Sequence, residues 1–124
     1  MPAPGGLTAS HAKIPSGTAV SGEVDLRGRT LFAITTPSTF EGTSITLQCA
    51  EKPTAEGGVY TDIYYLSTLA ATLVTITSVA ASRTIVIDSA ILPQGIGNCM
   101  LKVTITVGGN VAADRDLTLH CRPF

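Results

Sequence analysis

Residues 99–107, CMLKVTITV, alternate between two sets of side chains without a break. Cys99, Leu101, Val103, Ile105 and Val107 share one parity, and Met100, Lys102, Thr104 and Thr106 share the other. A strand turns successive side chains to opposite faces, so this stretch predicts a half-buried strand with the first set inward. The same period recurs along the chain. In VSGEVDL, Val20, Gly22, Val24 and Leu26 fall opposite Ser21, Glu23 and Asp25. Ile45, Leu47 and Cys49 repeat the pattern, as do Leu117, Leu119 and Cys121. TLFAITT is apolar on both faces, which suits a strand in the middle of a sheet.

Turn residues separate these runs. Gly28 turns the chain in RGRT, Pro37 and Gly42 punctuate the loop PSTFEGTS, and Pro53 precedes the turn-prone TAEGG. VYTDIYYL reads as one strand, LAATLVTITS as a strand from about Ala71, and SRTIVIDS as another. AILPQGIGN is predicted to be irregular, because Pro93, Gly95 and Gly97 interrupt it. GGN signals a tight hairpin that would pair RDLTLHCRP with the 99–107 strand. About eight short strands with no convincing helix predict an all-β fold, a single antiparallel β-sandwich or jelly roll. The C-terminal DLTLHCRPF alternates almost to its last residue, whereas MPAPGGLTASHAKIPS reads as unable to fold. The expected organisation is a flexible N-terminal arm, 1–16, and a sandwich domain, 17–124.

At 124 residues the chain is one domain by size. With 44% apolar and 14% charged residues it belongs to the folded class. Eight basic and nine acidic residues, net charge -1, give no field for gripping nucleic acid or a membrane surface. No apolar run approaches the ~20 residues that span a bilayer. Lys13 has no apolar stretch beside it, so the layout of a signal peptide is missing and synthesis in the cytoplasm is expected. The three cysteines match no zinc or redox spacing; each shares the parity of its apolar neighbours, so all three are expected to point into the core as small hydrophobes, with a disulfide between two of them as the alternative.

Nothing in the sequence nominates catalysis, a metal site or a cofactor. His11 lies in the arm and His120 on the outward parity of the last strand. Asp62, Asp88, Asp114 and Asp116 are dispersed over strand ends and turns, where Asp is favoured for local hydrogen bonding. GGLT, SGTAVSG and GIGN lack the strand-to-helix context of a phosphate loop. One possible ligand face remains. On a single strand Tyr60 and Tyr64 would share a face and Tyr65 would take the other; tyrosine serves both sugar-binding and protein-binding surfaces, although either face could equally fill the core.

From Ile14 onward the order of motifs resembles a group of small virion structural proteins of tailed bacteriophages and prophages. The likeness is carried by SGTAVSGEVDLRGRTLFAITTPSTFEGTSITLQ, then VAASRTIVID, then the terminal LTLHCRP. Two departures fall in the middle of the chain. IYYLSTLAATLVTI stands where that group more often carries a Y-D-x-x-G hairpin, and Asn98 and Cys99 replace an aromatic near the start of the penultimate strand.

The resemblance implies a noncatalytic β-sandwich on the outer capsid surface, a decoration or cement protein that stabilises the shell against internal DNA pressure. Its partners would be the major capsid protein and copies of itself, with no direct contact to nucleic acid or membrane. On that reading the arm orders on the capsid, with Leu7 and Ile14 as apolar anchors and Lys13, Arg27 and Arg29 facing acidic capsid loops. The alternative is a tail, neck or fibre module that binds host-surface carbohydrate, through Tyr60 and Tyr64, or a neighbouring virion protein.

Overall fold

The computed structural model describes residues 8–67, 69–77, 79–87 and 96–123. Leu7, Asp88, Pro93 and Gly95 lie outside that set. Twelve strands are present among the described residues: β1 (Thr8–Ile14), β2 (Val24–Asp25), β3 (Arg29–Thr35), β4 (Ser44–Ala50), β5 (Thr61–Asp62), β6 (Tyr64–Ser67), β7 (Ala70–Leu73), β8 (Thr75–Thr77), β9 (Thr84–Val86), β10 (Ile96–Gly97), β11 (Met100–Val107) and β12 (Arg115–Pro123). One sheet runs β1-β12-β3-β10, with β9 also on β3; the second runs β2-β11-β4-β5, with β8 also on β4. All the pairings are antiparallel. The fold is the expected β-sandwich.

The alternation read from sequence fills the space between the sheets. Ile14, Leu31, Ile34, Leu117, Leu119 and Cys121 from the first sheet meet Val24, Ile45, Leu47, Leu101, Val103 and Ile105 from the second in one continuous core. As expected for TLFAITT, β3 is a central strand. It has β12 on one side and β9 and β10 in tandem on the other. Gly28 makes the turn into β3 at a φ of 79°, which glycine adopts without steric cost, and Arg29 N–H donates to the Leu26 carbonyl across it.

The expected boundary at residue 17 is corrected, because half of the supposed arm is a strand of the core sheet. β1 pairs with β12 over its whole length, from Thr8 opposite Cys121 to Ile14 opposite Arg115. Ala12 and Ile14 are fully buried, while His11 and Lys13 face solvent. Prolines and glycines on either side mask a period of two that runs only from Ala12 to Ile14 on its apolar parity. Past β1, Gly17 N–H donates to the Val111 carbonyl and Ser16 N–H to Asp114 Oδ1, so the segment leading to residue 20 is also held.

A second correction concerns the GGN turn. β11 and β12 lie in different sheets, so residues 108–114 cross the sandwich and do not close a hairpin. Gly108, at a φ of 124°, leaves no room for a side chain, since an added Cβ would lie 2.3 Å from the Glu41 carbonyl oxygen. Glu41 holds the crossing. Its carboxylate accepts Ala112 N–H at 2.6 Å and Arg115 Nε and Nη2 at 2.8 and 3.0 Å.

Smaller departures have local causes. VYTDIYYL breaks at Ile63, whose N–H donates to Leu47 in one sheet while its carbonyl accepts Val74 N–H from the next turn of chain. LAATLVTITS likewise divides at Val74 into β7 and β8. Val20 is exposed and Ser21 buried, the reverse of the expected parity, because Ser21 N–H and Oγ bond to the Val103 carbonyl and amide. Met100 is buried and Val107 is 57% exposed, so the parity of β11 holds only over Leu101–Ile105. Within AILPQGIGN, Ile96–Gly97 is β10 and pairs with Leu31 and Thr30.

Candidate interaction surfaces

The proposed anchoring residues are dispersed. Ile14 is sealed in the core and cannot anchor a partner. Lys13 Nζ lies 3.1 Å from Asp114 Oδ2, and His11 Nδ1 lies 3.2 Å from Asp116 Oδ2. These four side chains and Arg115 line an open groove of about 520 Å³ at the β1 edge. Lys13 is paired with Asp114 within the groove and Arg115 with Glu41 beside it, so both cations already hold an acidic partner of this chain. Arg27 folds onto Asp25 through Nε and Nη2, an ion pair that holds the Asp25 carboxyl down to about 2. Arg29 Nη1 donates to Ser10 Oγ, which ties the start of β3 to β1.

Tyr60 and Tyr64 do not form one face. Tyr60 precedes β5, and its hydroxyl donates to Glu23 Oε2 at 2.6 Å while Lys102 Nζ sits 4.5 Å from the ring centroid. Burial, then the Glu23 hydrogen bond, pushes the Tyr60 phenol up. Glu23 also accepts Thr54 N–H, so Tyr60 is a brace between the 20–26 segment and the loop before β5. The Tyr65 side chain lies outside the described part of the structure.

The cysteines depart from expectation as well. All three are free thiols. Cys121 is fully buried as expected, but Cys49 and Cys99 are only half-buried and sit side by side at the margin of the core. Burial first, and then the neighbouring Cys49, pushes the Cys99 thiol up to about 11, which keeps it protonated and a weak nucleophile. His120 lies on the outward side of β12, as expected, with Nε2 2.7 Å from Thr35 Oγ1. Among the described residues no group of three or more His, Cys, Asp or Glu side chains could hold a metal ion. No helix among them is long and apolar enough to cross a membrane.

The surface that stands out is the β6–β7 hairpin. Among the described residues its two strands pair with each other and with no other strand. Among the described residues the root is held by the Ile63 hydrogen bonds to Leu47 and Val74 and by the buried Val74 side chain. In register, Tyr64 stands opposite Leu73 and Leu66 opposite Ala71, which puts these four on one face. Tyr64 is 55% and Leu66 72% exposed; Leu69, at the turn with a φ of 67°, is 92% exposed. The sequence carried a signal for this surface in its charges: none of the twenty residues between Asp62 and Arg83 is charged.

No protein-family model, curated protein or solved structure matches this chain.

Proposed function

We propose that this is a noncatalytic structural protein of a bacteriophage virion, a decoration or cement protein on the outer surface of the head whose partner is the major capsid protein. The observation that carries this reading is the exposed, uncharged hairpin on an otherwise closed sandwich. A contiguous apolar patch of this kind is a contact surface on a soluble body. The motif order that resembles phage virion proteins supports the address, and its pieces fall on the joints of the fold: the Gly28 turn, the buried Phe40, the Ser82 turn and β12. Attachment would then depend on the hairpin and the sandwich surface, since residues 8–14 belong to the core sheet. Many weak copies on a symmetric shell suffice, because linked contacts gain avidity.

The test is the copy number per purified virion, measured by quantitative mass spectrometry against the major capsid protein. On the order of hundreds of copies, near parity with the shell subunit, is the expected result for a protein that follows shell symmetry. A handful would move it to the tail, neck or fibre, and absence from particles would overturn the reading.

A further inference from the structure

We infer that Cys49 and Cys99 are a redox pair, which a disulfide oxidant closes into an internal bond that clasps β4 to the bend before β11. The register brings the two together. β4 and β11 are antiparallel neighbours with Leu101 opposite Cys49, and Cys99 lies two residues before Leu101. The Cys49 thiol is within hydrogen-bonding reach of the Cys99 thiol. A disulfide is about 2 Å long, so sulfurs already in contact need an approach of about 2 Å, which the end of a ladder accommodates more readily than its middle. Both thiols are half-buried and open to a small reagent, whereas Cys121 is fully buried in the other sheet with its thiol on the Leu119 carbonyl. The pair is therefore selective.

Its position gives the bond a mechanical role. Asn98, at a φ of 52°, and Cys99 form the corner where the chain leaves β10 in the first sheet and enters β11 in the second. That corner is held by hydrogen bonds alone, from Leu26 N–H to the Cys99 carbonyl and from Asn98 N–H to the Arg29 carbonyl. A covalent link to β4 would fix it to the sandwich and close a ring over residues 49–99, which carry β5 to β10. A ring of that length restricts the unfolded chain strongly. Reducing surroundings keep the clasp open and oxidising ones close it.

With oxidised glutathione as the oxidant, the Cys49 thiolate attacks one sulfur of the reagent and expels a first reduced glutathione. The Cys99 thiolate then attacks Cys49 Sγ in the mixed disulfide, forms the internal S–S bond and expels the second. The two protons of the pair end on the two glutathiones, and its two electrons reduce the reagent's disulfide. Cys99 is a weak nucleophile, and its place beside Cys49 suits it to this second, intramolecular step.

The test is incubation of the folded, reduced full chain in a buffer of reduced and oxidised glutathione in roughly equal millimolar amounts, followed by alkylation and mass spectrometry. The expected product is a single chain lighter by two hydrogens, with a peptide linking Cys49 to Cys99 and with Cys121 alkylated only after unfolding. Its thermal midpoint should rise by roughly 5 to 15 °C and return on treatment with dithiothreitol. Cys99→Ser and Cys99→Ala should each stop at the glutathione adduct of Cys49, with no such rise. Three thiols left unchanged, an adduct of the wild type that never resolves, a bond that includes Cys121, or a bond between two chains would each overturn the inference. A closed pair that leaves the midpoint unchanged or lowers it would overturn the clasp. None of these outcomes depends on the number of copies in a virion, so the inference and the proposed function are tested separately.

Discussion

Glu41 and Arg115 join the loop before β4 to the crossing between the sheets, and they make the fold sensitive to acid. Hydrogen bonds from Arg115 and then from the Ala112 amide hold the Glu41 carboxyl at about 2, against an ordinary value of 4.5. A depressed carboxylate adds stability above its unfolded pKa and loses it as pH falls through the folded one. The urea midpoint of the wild type should therefore fall between about pH 4.5 and about pH 2. Glu41→Gln should start lower at pH 7 and show a flatter decline over that window, with Asp25 supplying part of the slope that remains. Gly108→Ala tests the same joint by geometry. The Glu41 carbonyl occupies the space a methyl would need, so a loss of at least about 2 kcal/mol is expected in chemical unfolding. Individual residues were legible where parity alone decides burial, as at Leu101, Val103 and Ile105. Ser21 was not, because a side-chain hydrogen bond to a neighbouring strand overrides hydrophobic order and cannot be seen in a one-dimensional pattern.

At the scale of elements, β1 changes what a truncation should do. Removing residues 1–13 would uncover one side of β12 and take Ala12 out of the core. The expected outcome is loss of a cooperative thermal transition by circular dichroism, where a dispensable arm would leave it intact. Ile14→Ala, which leaves the backbone pairing in place, should cost about 2 to 5 kcal/mol. The long strands β4, β11 and β12 were legible because each carries several alternations, and β3 because its run is apolar on both faces, as a central strand requires. Of the short ones, β2, β5, β8 and β9 fall inside stretches read as strand but with wider bounds, and β10 was read as irregular, because two or three residues carry no measurable period and their pairing is imposed by neighbours distant in sequence. The GGN misreading has the same origin. Two glycines at positive φ suit a hairpin and a crossing alike, and the choice is made by Glu41 and Val111, which tie the loop to other parts of the chain.

The whole molecule is a sandwich whose core was legible in sequence and whose outer surface was not. Hydrophobic alternation reports which way a side chain points, and it says little about segments that leave both sheets. Thus Tyr60 and Tyr64, two steps of parity apart on paper, belong to a brace and a hairpin respectively. Strands β6 and β7 overlap VYTDIYYL and LAATLVTITS, both read as strand, but what sets the hairpin apart in the sequence is the distribution of charge, which is a property of a segment. If the body is held in place by that hairpin, disrupting the hairpin should abolish assembly while leaving the thermal midpoint of the isolated protein unchanged.

The pairing of β1 with β12 also sets how the molecule responds to a mechanical load. Thr8 sits beside Cys121, and Ile14 sits beside Arg115 at the other end of the ladder. Opposed pulls on Thr8 and Cys121 would peel the strands apart one pair at a time, at low force. Opposed pulls on Thr8 and Arg115 would strain the seven pairs together, and Arg115 is itself moored to Glu41. The resistance of this body to rupture is therefore a matter of direction: the same ladder is a zipper or a clasp according to where the tether is tied.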